Sequence, residues 1–351
     1  MAVLRTRRFW IGIGLSLLCL WLALRNVPFL ELGRALARAR YVWLVPAAAL
    51  EVLAVLARGR RWEILLGREG ILVEAFWAQG IGYLFTNILP FRVGEAARAI
   101  VLSGRSRLPI FQVAASILVE RLLDVATVVA ALILVLPWMQ VPLIVVRAGT
   151  TFGILVLLGL VGLWLLVRFR QAGERLLTSL LNQIPRLPSS PLLARWREMI
   201  EGLAPLTRFP AVWRSVVWSG CTWALSIGVY WCVLQAFEEQ STVVEATFMV
   251  VALSLALTVP SSPGFIGVFQ LVGQQALVLP FGGKYDQSTA LAATLTAHLV
   301  YYLITSLLGA IGLWRTGESF ADLGKRLLTS RSRGSRAAVL GAAGAPGEES
   351  E

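Results

Sequence analysis

Two apolar stretches of this chain are interrupted in the same way, by Leu89-Pro90-Phe91-Arg92-Val93-Gly94 and by Val259-Pro260-Ser261-Ser262-Pro263-Gly264. An aliphatic residue, a proline, three residues and a glycine amid apolar sequence is the pattern of a helix broken at membrane depth. Irregular backbone survives there only where protein or a water-filled cavity satisfies its N–H and C=O groups. The alternative is a pair of proline kinks in ordinary helices. Matching breaks in two halves of a chain point to a transport pathway.

Composition supports a membrane setting. Hydrophobic residues make up 57% of the 351 and charged residues 15%, with a mean hydropathy of +0.73. That is too apolar for an ordinary soluble domain. The formal net charge of +12 would suggest nucleic acid in a soluble protein. Here the arginines cluster between apolar stretches, which fits retention on the cytoplasmic face beside anionic lipid, with no nucleic-acid partner. Cys19, Cys221 and Cys232 sit in apolar segments without metal-ligand spacing and read as buried small hydrophobes. The apolar run Phe9–Leu24 after Arg5, Arg7 and Arg8 lacks a clear cleavage site and reads as a retained first span.

A span needs about 20 apolar residues, which places six full crossings near 9–25, 41–57, 110–136, 148–167, 213–236 and 289–314. The arginine-rich segments orient them: Arg58, Arg60, Arg61 and Arg68 follow the second crossing, Arg92, Arg98, Arg105 and Arg107 precede the third, and eight arginines lie from Arg168 to Arg214. All are cytoplasmic together only if 71–104 enters and leaves on the inner side and 245–281 does so on the outer side. Both termini are then cytoplasmic. Crossing, hairpin, crossing in the first half becomes the same set turned over in the second. The expected fold is thus all-α and polytopic, an inverted repeat with two opposed re-entrant hairpins whose breaks meet near the midplane. Arg25, Arg34, Arg38 and Arg40 run against the charge rule and read as part of an amphipathic surface helix.

The expected organisation is one membrane domain over 1–320, with halves 1–168 and 211–320 joined by a cytoplasmic connector at 169–210, then a disordered cytoplasmic tail at 321–351. In the connector, Trp196, Met199, Ile200 and Leu203 form an apolar stripe that reads as an interfacial helix. Trp62, Trp77, Trp138 and Trp314 near span ends read as interface anchors, and Gly80 and Gly82 as sites of close helix packing.

Ionisable residues at membrane depth are costly and mark function. The densest set is Arg92, Glu95 and Arg98 after the first break, with Glu120, Arg121 and Asp124 in the third crossing. Glu95 and Arg98 share a helix face, as do Arg121 and Asp124. Two readings stand: the charges pair crosswise and lock hairpin to crossing, or the arginines present guanidinium forks to a lipid phosphate. In the second half, Ser261 and Ser262 beside Gly264 and Gly267 offer N–H groups and hydroxyls at the start of a helix from Phe265, suited to an anion. Asn87 and Gln270 add neutral hydrogen-bonding groups. His298, the only histidine, reads equally as a packing residue or a proton carrier. Glu51 lies midway across its span without an evident role. No catalytic set, paired metal ligands or phosphate loop emerges, so neither enzymatic activity nor a cofactor is expected.

The runs Asn87 to Arg98, Glu120-Arg121-Leu122-Leu123-Asp124 and Pro260 to Phe269 resemble the flippase-like membrane family, the UPF0104 group. That family includes the transmembrane region of lysylphosphatidylglycerol synthase, the multiple peptide resistance factor. The resemblance covers about residues 5–320. It implies a plasma-membrane protein that moves anionic, aminoacylated or polyprenyl-linked lipids between leaflets. A lipid-modifying enzyme or glycosyltransferase is the implied protein partner, and a homo-oligomer is compatible. The matching residues are Asn87, Pro90, Arg92, Gly94, Glu95, Arg98, Glu120, Arg121, Asp124, Pro260, Pro263, Gly264 and Gly267. Two departures are Gln270, where relatives often carry Glu, and His298, where they often carry Arg; both remove fixed charge, which puts an aminoacylated substrate in doubt. No aminoacyl-transferase domain follows, so synthesis of the lipid is not expected. An ion- or proton-coupled solute transporter and a non-transporting partner of an envelope glycosyltransferase are the alternatives.

Overall fold

The computed structural model describes residues 7–89, 93–138, 143–183, 189–257, 262–281 and 283–325. Its helices are α1 (Arg7–Leu24), α2 (Phe29–Arg38), α3 (Leu44–Leu65), α4 (Leu72–Ile88), α5 (Val93–Ser106), α6 (Ile110–Val135), α7 (Leu143–Arg168), α8 (Arg170–Asn182), α9 (Ser189–Leu203), α10 (Phe209–Phe237), α11 (Val243–Ala256), α12 (Val268–Val278) and α13 (Gln287–Thr316). No strand occurs among the described residues.

Each of the six expected crossings coincides with a long helix. Four segments are long and apolar enough to span a bilayer: Tyr41–Leu65, Gly149–Arg168, Phe209–Phe237 and Gln287–Thr316. A fifth candidate is Gly12–Leu24 with Phe29–Arg38, bent by 82° at the break between them. At 26 residues α6 also has the length. It differs only in carrying Glu120, Arg121 and Asp124 at its centre, so a span there needs those charges neutralised by neighbours.

The two proline-containing stretches form helical hairpins. In the first, Gln79 bonds Arg98 and Gly82 meets Gly94, pairings that move apart from the break as antiparallel arms must. The arms of both hairpins have 11 to 17 residues, or about 17–26 Å of helix. Each is shorter than a hydrocarbon core of about 30 Å.

The packing repeats when the halves are exchanged. The pairs α3 with α4, α4 with α5 and α5 with α6 have counterparts in α10 with α11, α11 with α12 and α12 with α13. Across the halves, α13 lies on α4 as α6 lies on α11, and α3 meets α13 as α10 meets α6. The equivalent helices α3 and α10 pack on each other. They run antiparallel: Gly228 faces Leu50, Arg58 reaches Ser226 and Arg61 reaches Ser219. A two-fold that reverses helix direction is the inverted relation expected of the halves. Glycines allow the close crossing of α4 and α13, because a Cβ at Gly80 would lie 3.1 Å from the Leu308 carbonyl and one at Gly309 2.5 Å from the Gly80 carbonyl, in line with the packing role expected of Gly80 and Gly82.

Within the first hairpin, a Cβ at Gly94 would overlap the Gly82 carbonyl oxygen and the Thr86 hydroxyl. Gly94→Ala therefore has to push α4 and α5 apart. It is expected to cost about 1–3 kcal/mol, measured by unfolding in detergent, whereas Gly104→Ala, where nothing lies within 4 Å, should be neutral or slightly stabilising. The second hairpin is pinned at its open end. Glu245 caps α11 through Thr242 and takes hydrogen bonds from Lys284 Nζ and Tyr285 Oη, both at 2.6 Å. Burial and that carboxylate raise the Tyr285 phenol above its usual range, so it remains a donor.

Several local expectations are corrected. The second crossing does not end at 57: α3 runs on to Leu65, and Arg58 and Arg61 lie inside the protein and not in a loop. Trp62 is fully buried, bonded to Ser116, while Trp138 and Trp314 are exposed as expected. Met199 and Leu203 pack with Leu65, Val119 and Leu123, and Ile200 is buried, so the α9 stripe faces α6 and not lipid. Of the cysteines, Cys232 is buried, but Cys221 is exposed on α10. Residues 320–325 are helical, with Leu323 buried among first-half residues; the rest of the expected tail, from 326, lies outside the described residues.

Candidate functional site

A cavity of about 330 Å³ lies between the halves, lined by α3, α4, α5 and α6 on one side and by α10, α11, the second break and α13 on the other. Its two sides differ in chemistry. The first half contributes Glu51, Arg58, Glu95, Arg98, Arg121 and Asp124; α11 contributes Val250, Leu253 and Leu255 with Ser254 between them, continued by Leu257 just after it and by Val125 and Val128 of α6.

Glu95, Glu120 and Asp124 belong to a network in which none of these three carboxylates depends on one arginine. Glu120 lies 2.6 Å from Arg121, 3.1 Å from Arg98 and 3.4 Å from Arg61. Asp124 is held by Arg61 at 2.6 Å and Arg121 at 3.4 Å, with the Trp223 indole donating from 3.2 Å. Glu95 pairs with Arg98 at 2.6 Å and Arg121 at 3.5 Å. The i,i+3 pairs and the crosswise pairs read from sequence both form. Arg61, expected in a cytoplasmic segment after the second crossing, is fully buried and joins α3 to α6 and α10. Arg98 also stacks over the Trp62 ring at 4.8 Å. Arg121 differs from its neighbours: its side chain is 39% exposed, and it faces the cavity.

Of the other candidates, Pro90, Arg92, Pro260 and Ser261 lie outside the described residues. Gly94 lines the cavity. Asn87 is committed to α13, donating to Thr305 and Ser306. The expected free N–H groups of the second break are engaged: Ser262 donates its N–H to Ser16 of α1 and its hydroxyl to the Ile266 carbonyl, and Gly267 donates to Gln270 Oε1. Helix α12 starts at Val268, not Phe265, because Gly264, Phe265 and Gly267 take positive φ of 65°, 58° and 91°. The described flanks of the two breaks meet. A Cβ at Gly264 following Pro263 would lie 3.3 Å from the Asn87 carbonyl at the end of α4.

His298 does not line the cavity. Its ring stacks on Phe269 at 4.2 Å, and Phe269 lines the cavity. Its Nδ1 accepts from Gln270 Nε2 at 2.8 Å. This repeats in neutral form what Arg98 and Glu120 do with charge, tying the second arm of a hairpin to the crossing that follows.

These features define an α-helical integral membrane protein with a charged cavity between inverted halves. The chain belongs to the family described as the lysylphosphatidylglycerol synthase TM region, whose model matches residues 9–309. No curated protein and no solved structure matches it. The two departures noted from the resemblance, Gln270 and His298, bond each other, and neither lines the cavity.

Proposed function

We propose that this protein moves a phosphate-bearing lipid between the leaflets of the cell membrane, with both termini on the cytoplasmic side. The observation that carries the reading is the division of the cavity into a charged wall and an apolar wall. An anionic head group needs guanidinium donors out of bulk water, and its chains need a continuous apolar surface. Arg121, with Arg98 behind it, supplies the first; α11 with Val125 and Val128 supplies the second. The inverted repeat supplies two related arrangements for exposing one site to either side. Asn87, Glu120, Gln270 and His298 act here as positioning residues, and the membrane family supports the lipid class.

The test is leaflet-resolved movement of fluorescent phosphatidylglycerol in proteoliposomes of the full chain. Ser254 is half-buried on the cavity wall, so Ser254→Trp should fill the cavity and reduce movement to that of protein-free vesicles. A wild-type rate no faster than protein-free vesicles would overturn translocation and leave a role as partner of an envelope enzyme. Normal movement in Ser254→Trp would place the pathway elsewhere.

A further inference from the structure

One charged pair in the cavity is built unlike the rest. Glu51 of α3 is 3% exposed, and its one ion-pair partner among the described residues is Arg58, at 4.0 Å. That separation is too long for a hydrogen bond. Glu51 Oε1 and Arg58 Nη1 are both buried without a hydrogen-bond partner. Arg58 is steadied from its other side, where Nη2 donates to Ser226 at 2.9 Å. Buried groups of this kind cost stability when unsatisfied. In the neighbouring network Arg61 Nε and Nη2 and Arg121 Nε also lack a hydrogen bond, but each carboxylate there has at least two guanidinium partners, whereas Glu51 has one at 4.0 Å.

Three tyrosines surround the pair. Arg58 sits over the Tyr83 ring at 5.9 Å, and Tyr83 meets Tyr301 edge to face at 6.1 Å. Tyr230 and Tyr301 are both within electrostatic reach of Glu51 and Arg58. All five side chains line the cavity that also holds Arg121.

The charges of the pair offset each other, which restricts what it can accept. An ammonium would face Arg58 beside its carboxylate, and a second phosphate or carboxylate would face Glu51; either brings like charges together in a site poor in water. A hydroxyl can donate to Glu51 and accept from Arg58 without adding net charge, and adjacent hydroxyls can do both at once. Tyrosine faces suit the C–H surface of such a group. We propose that Glu51 and Arg58, with Tyr83, Tyr230 and Tyr301, form a head-group subsite for an uncharged polyol, glycerol or a sugar, carried on the lipid phosphate. The inference rests on the lipid-translocation reading, which assigns the phosphate to Arg121.

The experiment measures binding of dihexanoyl phosphatidylglycerol, phosphatidylethanolamine and phosphatidic acid, and of glycerol 3-phosphate, to the full chain in detergent. The wild type is expected to bind phosphatidylglycerol at least roughly tenfold more tightly than the ethanolamine and phosphatidic acid probes, a gap of about 1.4 kcal/mol. Glu51→Gln should reduce that preference to below about twofold while phosphatidic acid binds at least as tightly as to the wild type, which also reports that the variant is folded. The wild-type ranking needs no variant. Equal binding of the three lipids, or preference for ethanolamine, would overturn the polyol subsite and leave lipid translocation standing. No binding of any lipid probe would overturn both. Glycerol 3-phosphate binding as tightly as the short-chain lipid would keep the subsite and overturn a lipid as its source.

Discussion

Arg61→Met is expected to lower the stability of the purified protein by about 3–5 kcal/mol, the range for removing one partner of a buried charged network. Arg61 is fully buried and has no route to water. Its Nη1 bonds Asp124 at 2.6 Å and Ser219 at 3.1 Å, and Nη2 lies 3.4 Å from Glu120. One side chain therefore links α3 to both α6 and α10, across the two halves. Methionine keeps most of the volume but leaves Asp124 short of its closest cation. Pairing the change with Asp124→Leu removes the stranded charge and should return much of the loss, giving a coupling well above 1 kcal/mol in a double-mutant cycle. Equilibrium unfolding in mixed micelles measures all four proteins. Additive single effects, or a loss below about 1 kcal/mol for Arg61→Met, would mean that Arg61 does not hold α6 to α3.

The case of Arg61 also shows where sequence reasoning stopped. Local periodicity was enough to find the helices, the two breaks, and the pairs Glu95–Arg98 and Arg121–Asp124, because those depend on residues three apart on one helix face. Direction along the chain, with the charge rule, was enough to anticipate the inverted halves. The same charge rule misplaced Arg58 and Arg61. Arginines next to an apolar run ordinarily mark a cytoplasmic loop, and the groups that hold these two by hydrogen bonds are distant in sequence. Their partners Asp124, Ser219 and Ser226 are 63, 158 and 168 residues away. A weaker signal was present: Glu51, Arg58 and Arg61 recur at spacings of seven and three, which places them along one side of a helix. Polar residues sharing a side of an otherwise apolar span mark a face turned to protein or a cavity. The second break misled in another way. Its serines and glycines do resemble an anion cradle, but whether N–H groups are free depends on α1 and Gln270, and neither could be placed against it from local pattern.

Arg121→Gln should do the reverse of Arg61→Met, leaving the fold nearly intact and lowering lipid movement by about 10- to 100-fold. The argument turns on redundancy. With Arg121 removed, Glu120 keeps Arg98 and Arg61, Asp124 keeps Arg61 and Trp223, and Glu95 keeps Arg98. No carboxylate is stranded, and a side chain 39% exposed gives up a partly screened interaction, so the stability loss is expected to be at most about 1 kcal/mol. Its function has no such replacement, because Arg61 is fully buried and Arg98 is 3% exposed, so neither can turn to a head group without leaving the network. A hydrogen bond to a charged group is worth about 1.5–3 kcal/mol, which sets the expected loss in rate if that bond is made in the rate-limiting step. Arg121→Lys separates charge from geometry: it retains the cation but loses the planar fork, and should recover part of the rate. Unfolding and proteoliposome movement measured on the same preparations decide the matter. Unfolding losses as large as those of Arg61→Met would make Arg121 a structural member of the network, and wild-type movement in Arg121→Gln would remove it from the head-group site.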